Sequence, residues 1–234
     1  MDRLTRKELK SDRFALEVQH SVEYVAVHRR QMTRWGAAAA AVLVIALAVY
    51  FYRQHTHSVR QEALYSALQI QNATIGQAPN EYTVAFASQT EREKAAVKAF
   101  TEVANKYPGT LEGNIAQYYL GINASDQGKT AEAEKHFQEA ADSGNGNLAS
   151  LAKLALAQIY ASEGKISQGE TILRSVIDHP SVVVSKEQAT FVLAHMLEST
   201  KPLEARKLLE PLRSSARSPV SRAAITALSN LPQK

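Results

Sequence analysis

Cysteine is absent from this chain, so no disulfide framework, thiolate nucleophile or thiolate metal ligand is available in any compartment. Aromatics are sparse as well, with one Trp, six Phe and nine Tyr among 234 residues. Ala and Leu are frequent instead, the composition of helices packed on helices. The local patterns that carry catalysis are missing too. No G-x-S-x-G, Walker loop, G-x-G-x-x-G or H-E-x-x-H occurs, and Gly144-Asn145-Gly146 reads as a turn with no strand before it. The seven His are scattered. His20 and His28 lie near the N-terminus, and His136, His179 and His195 stand apart from one another. His55 and His57 are two residues apart in a stretch that reads as helix, where such positions diverge. The expectation is therefore no enzyme, no cofactor, no metal and no small-molecule substrate.

Positive charge in excess on the body is also lacking. Residues 1–35 carry eight Lys/Arg against five acids, whereas the remainder carries 19 against 18. A nucleic-acid protein keeps its excess on the folded domain, so no nucleic-acid partner is expected. The charge borders a run of 17 uncharged residues, Gly36 to Tyr52. That run reaches the lower limit for crossing hydrocarbon. Trp35 on one side and Tyr50, Phe51 and Tyr52 on the other suit two interfaces, and Arg29, Arg30 and Arg34 precede it. The positive-inside rule puts the N-terminus in the cytoplasm and residues beyond about 53 outside. Ala46-Leu47-Ala48 has the small-x-small form of a cleavage site, but a charged leader of 35 residues is long for a signal peptide. The segment reads as an uncleaved single-pass signal-anchor held in the bilayer through residues 36–52. In the leader, Thr5-x-x-Glu8 suits a capping box, and Phe14, Val18, Val22, Val25 and Met32 recur on one helical face. That face either docks on a partner or the inner leaflet, or simply continues the span as a solvated helix.

Beyond the span the sequence repeats. Residues 114–121 (Asn-Ile-Ala-Gln-Tyr-Tyr-Leu-Gly), Gly128-Lys129, Ala133, Phe137 and Ala140 return 36 residues later as Leu156-Ala157, Gly164-Lys165, Gly169, Leu173 and Val176. Small residues at Gly121 and Ala157 let two helices touch, and Gly128 and Gly164 suit a turn of positive φ. This unit resembles the tetratricopeptide repeat. The resemblance implies an all-α fold, a right-handed helical solenoid following the single transmembrane helix. Its division is a leader at 1–35, the anchor at 36–52, an outward helix and loop linker at 53–89, and a repeat domain at 90–234. Full repeats fall at about 114–147, 150–180 and 186–213, with a cap helix at 218–230 closing the array. Residues 58–75 read as the first helix of the array and 76–89 as loop. Helix starts are expected at Thr90-x-x-Glu93, at Thr130 before Glu132, at Ser167-x-x-Glu170, at Ser185-x-x-Gln188, at Pro202 and at Ser218-Pro219. Extra loop residues are expected at Ser143–Asn147 and His179–Ser185. Asn72-Ala-Thr74 and Asn123-Ala-Ser125 match the glycosylation pattern, Asn123 by chance inside a packed helix.

In this repeat class the first helix of each pair lines a concave groove. By analogy the groove positions are Ile115, Tyr118, Ile122 and Asp126, then Leu151, Leu154, Gln158 and Ser162, then Gln188, Phe191, His195 and Ser199. Repeats that clamp acidic C-termini use Lys and Asn where this chain has Tyr118/Ile122, Leu154/Gln158 and Phe191/His195. The groove thus suits a peptide or helix with apolar anchors. Burial of Tyr118, Leu154 and Phe191 between repeats is the competing account.

The order of basic leader, single span and repeat domain resembles the ancillary subunit of the bacterial Sec translocon, over residues 29–234. That resemblance implies a single-pass protein of the bacterial inner membrane, with its N-terminus cytoplasmic and its repeat domain periplasmic. It implies a tethered protein-binding module that links the translocon to periplasmic chaperones or clients and so assists secretion or folding of envelope proteins. The alternative is a structural scaffold subunit of an envelope assembly or cell-division complex.

Overall fold

The computed structural model describes the backbone of residues 6–77 and 84–232, with side chains from Arg30 onward except Met32. The Thr5 cap and the apolar leader face from Phe14 to Met32 lie outside the described side chains. Nine α-helices carry the described fold: α1 (Arg6–Gln71), α2 (Gln89–Lys106), α3 (Leu111–Asp126), α4 (Thr130–Ala141), α5 (Gly146–Ser162), α6 (Ile166–Asp178), α7 (Lys186–Leu197), α8 (Pro202–Leu209) and α9 (Ser218–Ser229). A 3₁₀ turn at Glu210–Ser214 follows α8, and β1 (Thr74–Ile75) pairs in parallel with β2 (Ala85–Phe86).

The chain divides into two compact units, residues 1–58 and 59–234. The first is helical from Arg6, and every side chain from Gly36 to Tyr52 is exposed. Among the described residues, α1 is the one helix long and apolar enough to cross a membrane.

The second unit starts with the last turns of α1. Leu64 and Ala67 bury against Ala96, Phe100 and Val103 of α2 and Ala116 and Leu120 of α3. Residues 59–71, placed in the 53–89 segment but read as the first helix of the array, thus pack with α2 and α3. Arg60 Nε lies 3.5 Å from Glu112 Oε2, whose side chain is only 5% exposed in the first turn of α3. A carboxylate is favoured there by the helix dipole. Asn123, 3% exposed, donates to Gln71 Oε1 at 3.2 Å and to the Tyr119 carbonyl at 2.8 Å. Its amide is committed to packing, which explains the chance match to a glycosylation pattern.

Each helix packs on the next in chain order from α2 to α8, and α3 also touches α5 as α5 touches α7. No contact of that extent joins α4 to α6 or α6 to α8. The first helices of the pairs therefore converge on an inner face, and the second helices splay on an outer one. Small residues let successive helices pack closely. A Cβ on Gly121 would sit 2.7 Å from the Phe137 ring, and one on Gly169 would sit 2.9 Å from Met196 Sδ. Gly128 and Gly164 hold φ +71 and +74, as the turn reading requires.

Helix starts depart from the sequence reading at two places. Ser88, not Thr90, caps α2 by accepting from the Glu91 N–H at 3.2 Å. Helix α4 begins at Thr130 as expected, whereas α6 begins at Ile166, so Ser167 falls inside it; the N-caps Lys129 and Lys165 make no side-chain cap. The left-handed glycine delivers the chain to the helix in both, and a capping hydroxyl is dispensed with. Glu170, released from that role, bonds Lys201 at 2.8 Å and Arg174 at 2.8 Å. Ser185 does cap α7, accepting from the Gln188 N–H at 3.1 Å. Pro202 occupies the first turn of α8 and Pro219 that of α9.

The outer helices are joined by ion pairs at repeating positions. Lys165, before α6, reaches Glu134 of α4 at 3.0 Å, and Lys201, before α8, reaches Glu170 of α6 at 2.8 Å. Arg174 of α6 also pairs with Glu204 of α8.

Candidate functional site

The inner face carries two adjoining hollows. The first, of about 300 Å³, lies between α3 and α5 and includes Tyr118, Ile122 and Asp126 opposite Gln158 and Ser162. The second, of about 490 Å³, lies between α5 and α7 and is lined by Gln158, Ala161, Phe191, Val192, His195 and Met196. Gln158 belongs to both, so its exposed side chain divides a single groove.

These positions recur because α3, α5 and α7 turn equivalent faces inward. Tyr118 packs its ring on Phe137 of α4 at 5.7 Å between centroids and edge-on to Tyr119 at 5.8 Å. Burial, and then the neighbouring Tyr119, push the Tyr118 hydroxyl above its ordinary pKa, so it remains protonated. Tyr119 stacks on Phe100 at 4.9 Å and faces the first pair. His195 stands exposed at the rim, with Nδ1 3.1 Å from Glu198 Oε2. His136 of α4, outside both hollows, is half-buried and shares a 2.7 Å hydrogen bond with Gln117 Oε1. Burial lowers its pKa and favours the neutral ring.

The sequence-derived positions separate into three sets. Tyr118, Ile122, Asp126, Gln158, Ser162, Phe191 and His195 line the hollows. Ile115 packs instead against the Leu64–Phe100 cluster, and Leu151 and Leu154 against Val176, Val184 and Ala189. Gln188 and Ser199 are exposed outside both hollows. On α3 and α5 the inward stripe therefore enters the inter-repeat core at its N-terminal end and opens at its C-terminal end. Val192 and Met196 escape a single-stripe reading because they lie one residue beyond Phe191 and His195, on the flank of α7 that faces α5. The missing Cβ of Gly169 was the available signal, since it makes the room that Met196 occupies.

Chemically the groove offers surface rather than reaction. It holds one carboxylate, three hydroxyls, an amide and an imidazole around apolar walls. Among the described residues no three His, Asp or Glu gather as a metal site would require.

The profile of the tetratricopeptide repeat-like domain matches residues 29–207. The chain belongs to that family. The matched stretch takes in the apolar run as well as the helical pairs through most of α8. No curated protein and no solved structure matches the chain. Stacked helical pairs of the tetratricopeptide repeat-like kind form extended concave binding surfaces, and the domain is a protein–protein interaction module.

Proposed function

We propose that this tetratricopeptide repeat-like protein is a membrane-tethered module that holds apolar segments of other proteins. It serves at the Sec translocon of the bacterial inner membrane, linking it to periplasmic chaperones or to clients as they emerge. The observation that carries the reading is the second hollow, an open concavity between α5 and α7 walled by Phe191, Val192, Met196 and Ala161. The apolar run at 36–52, the basic residues before it and the family match that spans both support the tether. Confinement raises the effective concentration of groove and client toward the millimolar range, about what weak apolar contacts need.

A photoreactive amino acid placed at Phe191 or Tyr118 in the full chain, in cells, tests the partner. Translocon subunits, nascent chains and periplasmic chaperones are the expected adducts. A fixed set of envelope-assembly or division subunits would overturn the translocon reading in favour of a scaffold. Protease added to spheroplasts tests the orientation: residues 59–234 should be cut and the leader protected.

A further inference from the structure

The two hollows differ in character although they share a wall. Around the second, Phe191, Val192, Met196 and Ala161 dominate, and the polar groups stand at its edge. The first contains Asp126, with Ser125 and Ser162 beside it. Asp126 ends α3 and Ser162 ends α5, so both helices point their C-termini toward that hollow. Helix C-termini carry partial negative charge, which opposes a carboxylate and favours a cation. Asp126 thus stands where its own helix disfavours it. Among the described residues no cation pairs with it. Exposed Asp126, set at a helix C-terminus with no cation paired to it, leaves a negative site next to an apolar one.

We infer that the groove takes peptide segments in which a Lys or Arg lies a few residues from a large apolar side chain. The cation sits over Asp126, and the apolar group enters between Phe191 and Met196. Gln158 stands between the two and offers one amide as donor and acceptor for the peptide backbone that bridges them. The charge preference is opposite to that of repeats that clamp acidic tails. The inference rests on the groove reading above and adds the sign of the charge.

The test uses the full chain in detergent micelles against an array of short Gly/Ser-based peptides. Each carries one Lys, Glu or Gln and one Leu, Phe or Ser at increasing separations. The Lys-and-Leu and Lys-and-Phe peptides should bind best, and replacing Lys with Glu should weaken them about tenfold or more. Asp126→Asn should remove about fivefold of the preference for Lys over Gln, leaving the Gln peptides unchanged. Phe191→Ala should weaken all apolar peptides alike while circular dichroism shows the helices intact. Equal binding of Lys and Glu peptides, or an Asp126→Asn protein that keeps the Lys preference, would overturn the charge assignment and leave the apolar groove standing. Failure of every peptide, together with no adducts from Phe191 in cells, would remove the groove reading itself.

Discussion

At the scale of single residues, the glycines separate two demands that sequence alone merges. Gly121 faces the stiff ring of Phe137, with a Cβ 2.7 Å from it, while Gly169 faces the flexible end of Met196. Gly121→Val should therefore cost about 1–3 kcal/mol through overpacking. Gly169→Ala should cost less, because the thioether can turn away. Gly128 has open space where a Cβ would go but holds φ +71. Gly128→Ala should cost about 1–2 kcal/mol through backbone strain alone. Urea unfolding of the three variants checks the order, and a Gly121→Val protein as stable as the parent would contradict the packing account. The two copies of the repeat made Gly121 and Gly128 legible. Gly113 was not, since the Tyr107 carbonyl that a Cβ would strike, at 2.0 Å, comes from the turn between α2 and α3 rather than from the repeat.

At the scale of elements, periodicity located the helices but misjudged several of their ends. Ser88 and Ser185 cap through ordinary serine geometry, and only the second has a spacing that stood out from its surroundings. Lys165 and Lys201 begin their helices without a capping side chain and pair across to the preceding outer helix, a contact no local pattern announces. The groove was partly legible for the same reason. Helix position fixed Tyr118, Gln158 and Phe191 on the inward face, but the depth at which that face closes into core depends on neighbouring helices. Ile115, Leu151 and Leu154 fell on the closed side.

Glu170 offers a test of the outer contacts. The Lys201 ammonium, and then Arg174, hold its carboxyl below the ordinary value of 4.5. A lowered carboxylate pKa contributes stability that is present above the unfolded value and lost as pH falls through the folded one. Glu170→Gln should lower the urea midpoint at neutral pH. The gap from the parent should narrow as pH drops below about 4.5 and close in stronger acid. A gap that stays constant with pH would mean that the glutamine disrupts packing rather than charge.

At the scale of the whole molecule, the second compact unit sets what should fold without the membrane. A fragment of residues 59–234 keeps Leu64 and Ala67 against Phe100, and should be helical and melt cooperatively. A fragment starting at residue 90, where the loop signals in the sequence suggest a boundary, exposes Phe100 and Ala96 and should melt well below it. Calorimetry of the two decides. Equal melting temperatures would show that the last turns of α1 add nothing to the array. Removal of residues 218–234 should likewise uncover Leu209 and Leu197, which share a core with Leu228 and Leu231. Loss of helicity there should be largest in α7 and α8, because stacked repeats depend on their nearest neighbours.

The unequal joints between successive pairs give the array a stiff side and a soft side. Side-chain packing binds α3 to α5 and α5 to α7, whereas α4, α6 and α8 are linked across their gap chiefly by Lys165–Glu134, Lys201–Glu170 and Arg174–Glu204. Close packing resists deformation, whereas partly exposed ion pairs contribute little individually and weaken as salt rises. The second helices therefore act like the leaves of a fan tied by short threads. Cutting one thread should therefore loosen a single outer joint and leave the inner packing of α3, α5 and α7 in place.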